Sequence, residues 1–336
     1  MRPSFIVRLV NGPLFDPIVY LRLINENRAI MLDCGRFSGI SNKELLLIDA
    51  VFVTHMHMDH FVGFDFLLRG ILHREKPLNV FGPEGIIDKL ISKLNSYTWN
   101  LTKEYLLTIN IYEVLKGSLK TVSLSASSGF SERGIIERDR SGNEIYADPR
   151  FTVESVILDH NIPCLAFAVK EKFHVNIRPD IIEERGYIPG PWIGQLKEMI
   201  ISGVKDNIEI ETKDGIAAYS SAELADDISV ITKGQKIAYL ADVRLSQDNL
   251  ESFKTIAADA DTLFIETFYL EEMKDEAYIK GHLTAAQAGE VFKGIKARRI
   301  VPMHVSPRYH DRVDQVFKEA GCTVPGLSGA DGEENP

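Results

Sequence analysis

Residues 50–60 read AVFVTHMHMDH. The opening run of β-branched and aromatic residues predicts a strand over 50–54, and it leads without a break into His55, His57, Asp59 and His60. If the backbone stays extended past Thr54, His55 and His57 face one point. Asp59 and His60, at the start of a helix, reach a second. Nitrogen and oxygen donors packed this densely suit zinc or a similar borderline cation. The bland alternative is a solvated surface cluster, but short His-rich tracts are more often metal-binding.

Outward from this stretch the chain alternates. Strands are expected at 4–10, 18–24 and 28–32, with the turn signals NGP and NEN between them. A largely buried helix is expected at 61–73. The strand and turn LNVFGPEG follow, and Pro83 stands before a helix at 84–95. Further strands are read at 151–158, 164–169 and 236–240, then a helix at 247–258 and the strand TLFIE. The helix TAAQAGEVFKGI, the strand RRIVPM and a last helix at 309–320 complete the order. Such a pattern predicts an α/β fold. His160, Asp242, Glu266 and His304 each fall just past a predicted strand, and ligands collect at the carboxyl ends of strands in α/β sheets. These residues complete two ligand sets, His55, His57 and His160 for one ion, and Asp59, His60 and His304 for another. Asp242 could bridge, since a carboxylate has two oxygens. Two divalent ions so held suit hydrolysis at a phosphoryl or acyl centre, with zinc first and manganese or iron as alternatives. His282 stands before a helix that Thr284 would cap.

The composition is that of a globular protein. Of 336 residues 45% are hydrophobic and 26% charged, which excludes collagen, long coiled coil and wholesale disorder. The net charge of −10 excludes a general coater of nucleic acids. Three scattered cysteines, Cys34, Cys164 and Cys322, make no disulfide framework. With no apolar stretch of spanning length, the expected setting is the cytoplasm, away from membranes. The acidic end, SGADGEENP, is expected to be frayed over 326–336.

The series HxHxDH, His160, Asp242 and His304 resembles the metallo-β-lactamase superfamily, which implies a four-layer αββα sandwich with a dinuclear site. Three features are similar to its ribonuclease Z branch. GHLTAAQA (281–288) resembles that family's extra-histidine motif, and HVSPRY (304–309) its last ligand motif. IPGPWIGQLK (188–197) resembles a stretch of its protruding arm. The resemblance implies one domain over 1–325, with an arm-like insertion at about 171–225, and a homodimer. It implies that His282 protonates the leaving oxygen, that Glu266 orients His282, that Asp59 assists as a base, and that Arg308 holds a substrate phosphate. The substrate would be a phosphodiester, RNA such as the 3′ side of tRNA precursors being what the resemblance implies, although weak or absent tRNA cleavage beside activity on small diesters is expected from the departures that follow.

Departures from the family pattern fall on substrate recognition. DCGEGT becomes Asp33-Cys34-Gly35-Arg36-Phe37-Ser38, HEAT becomes Ile265-Glu266-Thr267-Phe268, and no Arg-Asn pair appears in NGPLFDPIVYLRL. From Lys170 to Gly215 seven Lys or Arg face nine Asp or Glu, a net charge of −2 where a tRNA grip calls for a basic surface. The alternatives are a hydrolase of a small ester, lactone or cyclic nucleotide, and a silent zinc-binding module. Retention of His282 and Glu266 argues against silence. His73, His174 and His310 have no partner pattern and are read as solvated or capping. Residues 95–150 carry no reading.

Overall fold

The computed structural model describes residues 4–24, 26–37, 39–131 and 134–322, so the frayed tail expected at 326–336 lies outside the described residues. Strands β1 (Phe5–Leu9), β2 (Val19–Leu23), β3 (Ala29–Leu32), β4 (Ile48–Phe52), β5 (Leu78–Gly82), β6 (Thr108–Val114), β7 (Ser118–Ser125) and β8 (Ile136–Asp139) form one sheet in chain order. Its centre, β3 to β6, is parallel. Its flanks are antiparallel. The chain continues through β9 (Glu144–Ala147), β10 (Phe151–Asp159) and β11 (Pro163–Glu171). It then makes the short strands β12 (His174–Ile177), β13 (Asn207–Thr212), β14 (Gly215–Ser220) and β15 (Ser229–Thr232), and returns with β16 (Lys236–Leu240), β17 (Thr262–Glu266) and β18 (Ile300–Met303). Six of these make the second sheet, in the order β18-β17-β16-β11-β10-β9.

The two-residue period of the strands builds the layers. In β4 and just beyond it, Val51 and Val53 join the core that contains Phe64, Leu67, Leu68 and Ile71 of the helix Phe64–Ile71, and Ile86, Ile87, Leu90 and Leu94 of the helix Ile86–Asn95. The alternate residue Phe52 meets Phe167 of the second sheet edge-on, with ring centroids 5.7 Å apart. Across that sheet Ala166, Ala168, Ala238, Leu240, Leu263 and Ile265 pack with Phe253, Ile256, Ala288 and Val291 of the helices Gln247–Ala257 and Ala285–Ile295. Helices thus cover the outer face of each sheet and the inner faces meet, an αββα arrangement.

The single helix expected at 61–73 is two, Met58–Phe61 and Phe64–Ile71, with Gly63 between them. A Cβ added at Gly63 would lie 1.9 Å from the Gly35 carbonyl oxygen, and one at Gly35 would lie 2.2 Å from the Asp59 carbonyl oxygen. Both neighbours are backbone, so no side-chain rotation relieves the clash. Gly63→Ala is expected to cost about 3 kcal/mol, the upper end of ordinary overpacking penalties. An unshifted midpoint in a urea melt would show that the two segments can separate freely.

The chain divides into two compact units. Among the described residues the smaller comprises Ser4, Tyr146–Val153 and Val169–Gln235, and the segment 171–225, read as arm-like, lies within it. Instead of a long irregular loop it holds the helices Pro179–Glu184, Trp192–Ser202 and Ser221–Ile228, the hairpin β13–β14 and the antiparallel pair β12–β15. Its own core is built from Ile182, Trp192, Leu196, Ile208, Ile210, Leu224 and Ile228.

Candidate metal centre

Within the larger unit the strands deliver their carboxyl ends to one place. β4 is followed by His55, His57, Asp59 and His60, β10 by His160, β16 by Asp242, and β18 by His304. β17 ends on Glu266. Ligand atoms of His55, His57, His160 and Asp242 all lie within 4.8 Å of one another, as do those of Asp59, His60, Asp242 and His304. Asp242 is the common member. Its Oδ2 is 3.6 Å from His55 Nε2, 3.4 Å from His60 Nε2 and 3.6 Å from His160 Nε2. Its Oδ1 is 2.5 Å from His304 Nδ1, while Asp59 Oδ2 lies 3.2 Å from His304 Nε2 and 3.6 Å from His60 Nε2. Every residue expected from the sequence to ligate an ion is therefore gathered here.

The donor set fits divalent cations on an observation independent of residue type. His55 Nε2 and His60 Nε2 are buried and make no hydrogen bond among the described residues, and Asp242 Oδ1 and His304 Nδ1 have only each other, 2.5 Å apart. An unsatisfied buried group costs about 1–3 kcal/mol, and two imidazole nitrogens aimed at one carboxylate are what a cation would satisfy. The other ring atoms are already engaged. His160 Nδ1 lies 2.6 Å from the Gly281 carbonyl, to which it can only donate, leaving Nε2 as the ligand atom. His60 Nδ1 lies 2.8 Å from Asp33 Oδ2. Asp33 also accepts from the Thr54 amide at 2.7 Å, the Thr54 hydroxyl at 2.9 Å and Tyr239 Oη at 2.8 Å. Asp33, Asp242 and His304 all have positive φ, of 57°, 41° and 54°, the left-handed region that costs a non-glycine residue energy and recurs at functional sites.

Burial, with neighbouring imidazoles, pushes His55 down to about 2 and lowers His57 as well, so both are neutral, the form that ligates. His304 is raised to about 10: burial opposes the charge, but Asp242 and Asp59 outweigh it. A histidine raised from 6.5 to about 10 stabilises the fold fully below pH 6.5 and loses that contribution as pH rises toward 10. A histidine lowered like His55 does the opposite, costing stability below 6.5. Chelator-stripped protein should therefore be most stable near pH 6.5 and weaken toward pH 10. Metal-loaded protein should lack the alkaline decline, because the ion takes the place of that proton. Urea melts at pH 6.5, 8 and 9.5 check this; a stripped protein as stable at 9.5 as at 6.5 would contradict it.

Beside the centre, His282 Nδ1 is 2.8 Å from Glu266 Oε2. Glu266 is fully buried, and its Oε1 accepts from the Val243 amide at 2.5 Å and the Leu283 amide at 3.3 Å. The His282 imidazole is raised: burial lowers it, but Glu266 more than compensates. Phe268 stacks flat on the ring, with centroids 4.1 Å apart and planes 10° apart. Thr284 caps the following helix through Gln287, as expected. Arg308 lies 3.4 Å from Glu276 and over the Tyr269 ring at 5.1 Å. Two residues of the site were not read from the sequence as site residues: Thr54 and Tyr239. Asp33 and Phe268 were quoted only within motifs. His174, read as solvated or capping, is instead buried beside Ser4 and Glu171 in the smaller unit. His73 packs on Tyr105 and His310 faces Asp311.

No family model matches the chain. Among curated proteins it is similar to ribonuclease Z of Deinococcus radiodurans, with 28% identity over 84% of this chain and 83% of the relative. It is also similar to ribonuclease Z of Bacillus subtilis, with 27% identity over 91% and 88%. Among solved structures it resembles the short form of human tRNase Z, at a TM-score of 0.53, 19% identity, and 91% and 93% coverage. It also resembles the metallo-β-lactamase fold protein YhfI of Bacillus subtilis, at 0.54, 15% identity, and 94% and 90% coverage. The fold is the metallo-β-lactamase fold. In sequence the chain is similar to ribonuclease Z over most of its length.

Proposed function

We propose that this chain is a metal-dependent hydrolase that cleaves phosphodiester bonds in the manner of ribonuclease Z, with the 3′ side of tRNA precursors as its substrate. The observation that carries the reading is the pair of buried Glu266 and half-buried His282 standing against the donor sets, since a purely structural metal site has no use for a proton donor. His55, His57, His160 and Asp242 would hold one zinc ion, and Asp59, His60, Asp242 and His304 a second. Bound there, such ions lower the pKa of an attacking water and offset charge developing on phosphoryl oxygens.

The protein's own groups divide the remaining work. Asp33 and the Gly281 carbonyl fix the rings of His60 and His160. Glu266 holds the proton on His282 Nδ1, so Nε2 carries the one delivered to the leaving oxygen. Asp59 is lowered by His304 and His60 against the effect of burial. It therefore takes up a proton poorly, which suits a ligand better than a base. Arg308 would meet a substrate phosphate by leaving Glu276. We place the enzyme in the cytoplasm as a homodimer, which light scattering on a sizing column would test. No helix among the described residues is long and apolar enough to cross a membrane.

The net charge of −2 between Lys170 and Gly215 favours a second reading, a small phosphodiester in place of tRNA. Assaying bis(p-nitrophenyl) phosphate beside a precursor tRNA with a 3′ trailer separates the two. Cleavage of both substrates, with strong salt dependence for the RNA, supports the first. Cleavage of the small diester alone supports the second. Inertness toward both in metal-loaded protein would overturn the hydrolase reading.

A further inference from the structure

Phe268 brings no ionisable or hydrogen-bonding side chain to the centre, yet its ring touches two residues there. It lies flat on His282, with centroids 4.1 Å apart and planes 10° apart, and meets His304 edge-on at 5.0 Å and 66°. The backbone fixes this placement. Thr267 N donates to Met303 O at 2.9 Å and Ser306 N to Phe268 O at 3.1 Å, which ties the stretch to the segment that carries His304. Tyr269 N donates to Leu283 O at 3.2 Å and Ala285 N to Tyr269 O at 2.7 Å, which ties it to the segment that carries His282. The ring is half-buried and packs against the cluster that contains Tyr269, Leu270, Val305 and Tyr309.

His282 needs such a neighbour. Its own backbone is pinned, N donating to Ala277 O at 2.8 Å, and its Nδ1 is 2.8 Å from Glu266 Oε2. A hydrogen bond fixes one ring atom. It does not fix the ring plane, because the second side-chain torsion of histidine has a broad, soft profile. If the plane tilts, the direction in which Nε2 points tilts with it. A parallel aromatic face opposes that tilt and adds an attraction beyond the area it buries. On His282 the flat contact is Phe268, while His160 stands edge-on at 4.9 Å.

We propose that Phe268 is a positioning residue, its ring holding the plane of the His282 imidazole so that Nε2 meets the leaving oxygen. The proposal rests on the hydrolytic reading above and acts through His282 alone. The test uses full-length, metal-loaded protein. Phe268→Leu keeps apolar bulk and removes the flat face. On a diester with a poor leaving group it should lower kcat about tenfold, within what a displacement of about 1 Å at a reacting group costs. KM and metal content should stay as they are, and the loss should shrink toward unity for a nitrophenolate. Phe268→Tyr, which keeps the flat ring, should recover most of the lost rate. Combined with His282→Ala, Phe268→Leu should add nothing, because no imidazole is left to hold. Phe268→Met repeats the measurement should the leucine variant not fold. A loss equal for both leaving groups, or one that adds in full to that of His282→Ala, would overturn the proposal and leave the proton donor standing. So would loss of metal, which would show that the ring acts through His304. If His282→Ala alone changes nothing, the proton donor fails, and the positioning role with it.

Discussion

Replacing His282 with Ala is expected to slow hydrolysis of a diester with a poor leaving group by about 10²–10⁴-fold, the usual worth of general acid catalysis, with metal content unchanged. The imidazole stands on Glu266 at 2.8 Å and is held flat by Phe268, so its orientation is set before substrate arrives. The loss should shrink toward unity for a nitrophenolate leaving group, which needs no proton. Glu266→Gln should give a milder defect with the same dependence on leaving group, and should also move the alkaline limb of the pH–rate profile to lower pH, because the carboxylate that raises His282 is gone. A helix-flanking histidine with no chemical role predicts none of these. An undiminished rate for His282→Ala on a poor leaving group would falsify the proton-donor role.

Asp242→Ala should remove both ions at once, the second large effect. Asp242 faces His55, His60 and His160 through one oxygen and His304 through the other, and it belongs to both donor sets. Loss of the shared carboxylate leaves each set with three donors and brings imidazoles together without the charge that balances them. Metal analysis after gel filtration should find neither ion. The thermal midpoint should fall to that of the chelator-stripped wild type, since an ion at about 1,000 times its Kd contributes about 4 kcal/mol. Retention of one ion would show that Asp242 serves one site alone.

Elements whose side chains alternate against a core were legible in the sequence. β16 and β17 occupy 236–240 and 262–266, as read, because both are apolar strands bounded by turn chemistry. Boundaries drifted where a side chain does double duty. His57 is the residue before the helix as well as a member of a candidate donor set, so the helix begins at Met58, not 61. The helix expected at 309–320 opens as a 3-10 turn, Pro307–Arg312, with Tyr309 out of helical geometry, before Val313–Glu319. In 95–150 the signal is uneven. β6 alternates half-buried and buried residues, a period that was present but unread, whereas β8 is exposed on every residue, and an edge strand with no buried face has no period to read. The ligands were legible because chemistry restricts them to a few residue types. The residues behind them were not. Asp33 matters through Thr54, His60 and Tyr239, partners that only the closed sandwich supplies, and Phe268 looks like any strand-end aromatic until it lies on His282.

The donors of the centre span residues 55 to 304, and the whole smaller-unit segment Val169–Gln235 is threaded between His160 and Asp242. A growing chain therefore carries the three histidines of THMHMDH long before the carboxylate that unites them has been synthesised. In the proposed metal-bound protein, those imidazoles would hold an ion only loosely until β16 and β18 dock. Tight loading would await the last strand, and so would act as a timer. An ion would be captured only by a molecule whose sandwich is already closed, and metal content in a freshly made sample would then measure the fraction that finished folding.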